Sequence, residues 1–215
     1  MLKVENIEVS NIKGALRGMR NPMASWDKAD SIYDDNDTGM FLRLGNNDKQ
    51  LAQKLILAGS DHRKFMRQIF FCGDITAPDY WFKELSTYKV ATVENSTSTM
   101  HKLTSKSLTI DDFSWDNFGI YQLNTLEHLN NLIKIYKQLN KINSTDVAKQ
   151  IWRELIQDLP MSFNYTRTWT ADYETLRNIY FARRNHKLSE WHTFCEMIES
   201  LPLAKELIMI EKEKK

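Results

Sequence analysis

The sequence predicts an α+β (α/β) class, a single compact domain over residues 1–215 with a central mixed sheet and several helices. Few strand-like segments and many helix-like ones lead to this reading. The composition is globular, 42% hydrophobic and 27% charged, and the length suits one ordinary core.

Residues 2–9 roughly alternate apolar and polar, as a half-buried strand does. A polar stretch follows over residues 21–47. Within it, Asp34-Asp35-Asn36-Asp37-Thr38-Gly39 resembles a calcium loop, but Thr38 and Gly45 stand where carboxylate ligands belong, so it reads as a solvated acidic turn. Asp48 is positioned to cap a helix carrying Leu51, Leu55 and Ala58, closed by Gly59. Residues 69–72 form a short apolar run, read as a buried strand with Cys72 as an inert core thiol. Pro78 then opens a helix as its first residue, where the missing N–H costs nothing.

Residues 87–100 are rich in Thr, Ser, Val and Asn and read as extended or looped. Residues 102–124 read as connection and short helix. Asn124 with Glu127 resembles a capping box for a helix bearing Leu126, Leu129, Ile133, Tyr136 and Leu139. Ser144 or Thr145 caps the next, with Val147, Ile151 and Leu155 at four-residue spacing. Residues 163–168 alternate as a strand. Tyr173, Leu176 and Tyr180 mark a further helix, and residues 191–198 another. The charged tail 211–215 is expected to fray. Trp81, Trp152, Trp169 and Trp191 fall in or beside helices and read as packing residues.

Composition excludes several function classes. Lys plus Arg number 29 and Asp plus Glu 28, so no global field recruits nucleic acid or an acidic membrane. The two cysteines are far apart and form no zinc or disulfide framework. No segment nears the roughly 20 apolar residues of a membrane helix, and no signal-peptide run opens the chain; the expected location is cytoplasmic. With 7 glycines and no glycine-rich phosphate loop, a nucleotide must be held by side chains. The pairs His186/Glu190 and His192/Cys195 have no apparent third ligand, so no metal site is assigned. Arg183-Arg184 near a helix end serves either dipole compensation or phosphate binding.

One stretch carries more. Thr87-Tyr88-Lys89-Val90-Ala91-Thr92-Val93-Glu94-Asn95-Ser96-Thr97-Ser98-Thr99-Met100, preceded by Pro78, Trp81, Phe82, Glu84 and Leu85, resembles the core motif R-H-R-x-x-S-x-N-E-x-S-x-R-Y of the flavin-dependent thymidylate synthases. Downstream, Leu159-Pro160, Thr168-Trp169-Thr170, Leu176-Arg177-Asn178, Arg183-Arg184 and Ser189-Glu190-Trp191 follow in the family's order, and Arg17 or Arg20 matches an early family arginine.

The resemblance implies the family's fold, a homotetramer, and FAD and dUMP as ligands, with NADPH and methylenetetrahydrofolate needed for turnover. It implies flavin contact at Tyr88 and Lys89. It implies nucleotide contact at Thr92, Glu94, Asn95, Thr97 and Thr99, with phosphate meeting Arg183 or Arg184. The departures lie at charged positions: Thr87 and Thr99 replace arginines, Tyr88 replaces the histidine, and Glu94-Asn95 inverts the family's Asn-Glu. On an extended segment that inversion turns the carboxylate to the other face. Each lost charge-assisted phosphate contact costs about 1.5–3 kcal/mol, unless Lys64, Arg67, Lys102, Lys106, Arg167, Arg183 or Arg184 substitutes. Two readings follow: a divergent homologue that binds a flavin, a pyrimidine nucleotide or both, or a non-catalytic protein that keeps the fold as a binding or oligomeric module.

Overall fold

The strands and helices, in chain order, are β1 (Lys3–Ser10), α1 (Ile12–Gly18), β2 (Ile32–Tyr33), β3 (Phe41–Arg43), α2 (Asn46–Ala58), β4 (Phe70–Pro78), α3 (Asp79–Leu85), β5 (Val93–Ser96), α4 (Thr99–Lys102), α5 (Ile120–Lys141), α6 (Thr145–Gln157), β6 (Asn164–Asp172), α7 (Tyr173–Arg183) and α8 (Ser189–Ser200). The computed structural model describes residues 1–34 and 41–212. Most of the calcium-like run and the last three residues lie outside the described residues. The four-stranded sheet has the order β1-β4-β6-β5, and β2 pairs with β3 antiparallel. The α+β class is as the sequence suggested. Thr76 meets Thr166 and Asp74 meets Thr168, so β4 and β6 run antiparallel. Thr97 with Thr166 and Val93 with Thr170 give β5 the same relation to β6. These ladders are antiparallel, where the sequence suggested a mixed sheet.

Two compact units make up the chain. The first comprises Met1–Lys3, Ile75–Thr87 and Asn95–Arg167. Its core is Leu103, Leu108, Phe113, Leu129, Leu132, Ile133 and Leu155, built largely by α5 packing on α6. Asn130 of α5 clamps the preceding turn: its amide donates to the Leu108 carbonyl at 2.9 Å and its oxygen accepts from the Leu108 N–H at 2.8 Å. The helix starts earlier than Asn124 because Gly119 is its cap, with the Gln122 side-chain oxygen accepting from the Gly119 N–H at 3.1 Å. Pro78 is the cap of α3 and the last residue of β4, rather than a first helical residue. It suits either role because its φ of −72° is compatible with extended backbone.

The second unit comprises Val4–Asp74, Tyr88–Glu94 and Thr168–Lys215. Aromatic contacts run through its core from Phe71 to Trp169, Phe194 and Trp191, with ring centroids 5.9–6.0 Å apart. β1 is largely exposed, a sheet-edge strand with Val4 and Val9 half-buried. Cys72 is also only half-buried, rather than a core thiol.

A buried ion pair organises the N-terminal part of this unit. Arg20 and Asp48 are 3% and 2% exposed, and their side chains meet at 2.6 Å. Asp48 therefore does not cap α2; it lies in the first turn, with its other oxygen accepting from the N–H groups of Asp30 and Ser31 and from the Ser31 hydroxyl. The capping work is done by Asp30, which accepts from the N–H groups of Asn47 and Asp48 at 2.9 and 3.0 Å. Gly45 permits this approach, because a Cβ there would lie 2.1 Å from an Asp30 oxygen. The face of α2 that is buried is accordingly Asp48, Ala52 and Ile56, one residue on from the expected Leu51 and Leu55.

Two outcomes follow. Asp48→Ala leaves the Arg20 guanidinium buried without its acid and should lower unfolding free energy by about 3–5 kcal/mol in a urea titration. The N–H of Asn47 leads the interactions that hold the Asp30 carboxyl below its ordinary 3.8. An acid lowered in this way stabilises the fold while ionised, so its contribution is lost as pH falls below about 4. Urea midpoints measured from pH 6 to pH 3 should fall less steeply for Asp30→Ala than for the unaltered chain.

Candidate functional site

The site is built on α7. Asp172 caps this helix, its carboxylate accepting the Thr175 N–H at 2.7 Å. Burial nonetheless raises the Asp172 carboxyl above its ordinary value, the Thr175 bonds opposing it. In the first turn, the buried Glu174 accepts from Arg63 at 3.0 Å and from Arg67 at 2.6 Å. Two guanidiniums on one carboxylate hold the start of the helix in one orientation. Arg177 is buried and donates to the Ile208 carbonyl, while Tyr173 donates to the Pro202 carbonyl at 2.7 Å. These bonds tie the first half of α7, short of its far end, to the segment that follows α8.

That far end presents Arg183. The His186 N–H bonds back to the Arg183 carbonyl and the Leu188 N–H to His186 Nδ1, turning the chain into α8. The turn brings Trp191 beneath Arg183, with the guanidinium carbon 4.8 Å from the indole centroid. Arg183 Nε donates to the Tyr88 hydroxyl at 3.0 Å, and the Tyr88 ring lies 6.3 Å from that of Trp191. The His186 ring stands on the indole at 6.2 Å. A half-exposed guanidinium thus lies against the part-exposed Tyr88 and the buried Trp191, with a histidine beside them. The Tyr88 loop is pinned by the Thr175 hydroxyl donating to the Val90 carbonyl at 3.2 Å and the Thr92 hydroxyl donating to the Tyr88 carbonyl at 2.7 Å.

The residues expected from sequence separate into groups. Tyr88, Thr92 and Arg183 come together as described, and Lys89 is exposed beside Tyr88. Glu94 belongs to the same unit and lies exposed on β5. Asn95, Thr97 and Thr99 belong to the other unit. There, Asn95 is exposed, Thr97 is tied to Thr166 through its N–H and hydroxyl, and Thr99 starts α4. Arg184 points away from Arg183, stacking on Phe181 at 4.9 Å and pairing with Glu211. Glu211, expected in a frayed tail, is therefore engaged.

Among the other cations, Arg67 is committed to Glu174, Lys106 to Asp112 at 2.7 Å, and Arg167 lies over the Phe82 ring at 4.1 Å. Sequence reasoning missed Arg63 and Glu174 as helix anchors, and His186 and Trp191 as the platform. His186, noted in the sequence for its spacing from Glu190, meets the Trp191 ring edge-on. His192 Nε2 meets the His186 carbonyl at 2.7 Å.

The anchor at Glu174 gives a direct outcome. Glu174→Gln removes the charge that Arg63 and Arg67 share and should cost about 1.5–3 kcal/mol of stability in chemical denaturation.

No protein-family model matches the chain, and no curated protein matches it by sequence. Solved structures do match. Thymidylate synthase X (ThyX) from Helicobacter pylori, determined with FAD and dUMP, superposes with a TM-score of 0.67 at 16% identity, over 97% of this chain and 98% of that one. A second structure of the flavin-dependent enzyme ThyX from Helicobacter pylori, again complexed with FAD and dUMP, gives 0.66 at 17% identity over 96% and 98%. The chain therefore has a ThyX-like fold.

Proposed function

We propose, from this ThyX-like fold, that the chain is a divergent relative of flavin-dependent thymidylate synthase that binds FAD, a pyrimidine nucleotide such as dUMP, or both. The observation that carries the reading is the likeness along nearly the whole chain to structures that hold those two ligands. The residues of the Arg183 platform give the binding chemistry. The part-exposed Tyr88 offers an apolar face for a planar ring, backed by the buried Trp191, Arg183 offers a fork for phosphate, and Lys89 adds a second cation at the exposed edge. Thr92 and Glu94 border this surface in sequence, and Asn95, Thr97, Thr99 and Arg184 complete the set that the family resemblance proposes. When bound, a flavin supplies redox chemistry, and the protein's own residues bind and orient. The reading includes one domain over residues 1–215, a homotetramer and a cytoplasmic location. Among the described residues no helix is long and apolar enough to cross a membrane.

A second reading has its own observation. Arg184, Arg67 and Lys106 are each paired with a carboxylate of the chain, and the Thr92 hydroxyl donates to backbone. Groups used internally in this way suit a protein that keeps the fold as a non-catalytic module. Turnover as a thymidylate synthase would also need NADPH and methylenetetrahydrofolate, so growth of a thymidine-auxotrophic bacterium separates the readings: rescue by this chain excludes the inactive module.

Binding itself is tested by calorimetry with FAD and with dUMP on the purified chain. Saturable heat is expected for at least one of them, weakened at least about tenfold by Arg183→Ala, which is the loss of one charge-assisted contact. Absence of heat for both at millimolar ligand would refute the proposal.

A further inference from the structure

The long helix pair of the first unit carries a cluster unrelated to the Arg183 platform. His128 projects from α5, and Glu154 and Asp158 from the end of α6. Ligand atoms of the three side chains all lie within 4.8 Å of one another, and His128 Nε2 already meets an Asp158 oxygen at 2.7 Å. One imidazole and two carboxylates are a ligand set of the kind that late first-row divalent ions accept. All three side chains are exposed, so small rotations can close them to the roughly 2.0–2.2 Å bonds that such an ion requires.

The position of the carboxylates supplies an independent argument. A helix C-terminus is its negative end and is ordinarily matched by Lys, Arg or His. The last turn of α6 has no basic residue and carries Glu154, with Asp158 as its C-cap. The two acids are four residues apart, a spacing at which like charges on a helix repel. Among the described residues the Glu154 carboxylate has no hydrogen-bond or ion-pair partner, and Asp158 has only His128. Two acids repelling each other at a negative helix end form a local conflict that a cation resolves, and such conflicts gather at functional sites.

We propose that His128, Glu154 and Asp158 form a zinc-type divalent transition-metal site, with His128 Nε2 and one oxygen from each acid as ligands and water in the remaining position. The ion clips α5 to the end of α6, across a stretch whose only other tie between these three groups is the single His128–Asp158 bond. Sequence spacing does not reveal the site because His128 lies 26 residues from Glu154 and on a different helix.

The full chain, stripped with a chelator and titrated with zinc chloride in a non-coordinating buffer, should bind one ion per chain and gain thermal stability. His128→Ala and Glu154→Gln should each weaken that binding at least about tenfold, since even outer partners of metal ligands contribute that much. In chelator Glu154→Gln should melt no lower than the unaltered chain, since it relieves the repulsion with Asp158, so its loss of zinc binding is not a loss of fold. Magnesium chloride at equal concentration should produce no shift, because imidazole suits transition ions. A crystal soaked in zinc should show an anomalous peak between the three side chains. Zinc binding that is absent, as tight in both variants as in the unaltered chain, or matched by magnesium would overturn the proposal, as would a peak elsewhere only.

Discussion

The shared carboxylate of Glu174 is the interaction on which the placement of α7 in the second unit depends. It is buried, and burying an acid is costly unless its charge is matched. Arg63 and Arg67, from the turn before β4, match it together. Because both guanidiniums bind the first turn of α7, that helix leaves the sheet in one direction, and the Asp172 cap joins it to β6 without a loop. Everything presented at the far end, Arg183 above all, inherits its position from this anchor. The Thr175 hydroxyl uses the same turn to hold the Val90 carbonyl, so the Tyr88 loop and Arg183 are registered from one place.

The chemistry of the platform differs in kind from that of an arginine-rich motif. A histidine-and-arginine cradle works through charge, whereas here Tyr88 and the buried Trp191 fix Arg183 by a hydrogen bond and cation–π contacts. The Tyr88 hydroxyl accepts from the guanidinium and so aims a cation from α7. A cation from α7 thus stands beside the loop that carries Lys89. Arg184 cannot add to it, because Glu211 and the Phe181 ring draw it to the other side.

Much of the fold was legible in the sequence because periodicity reports local burial. The strand at residues 163–168 and the helices at Tyr173, Leu176, Tyr180 and Trp191 appear where their patterns place them. What failed was decided by partners distant in sequence. Asp48 looks like a cap, yet Arg20 captures it, and Asp30, 18 residues earlier, does the capping. Asn124 with Glu127 looks like a helix start, yet Gly119 with Gln122 begins the helix sooner. For the site, Arg183 and Tyr88 stand out in the motif and the double arginine. Their pairing across 95 residues, and the loss of Arg184 to Glu211, depend on tertiary geometry that no local pattern encodes.

The central claim is that the Arg183 platform receives a nucleotide or flavin, and the most direct measurement is a crystal structure of the chain grown with FAD and dUMP. The account predicts ligand density with a ring against Tyr88 and a phosphate within hydrogen-bond reach of Arg183 or Lys89. Ordered ligand bound only away from these residues, or crystals that remain free of both ligands at saturating concentration, would contradict it.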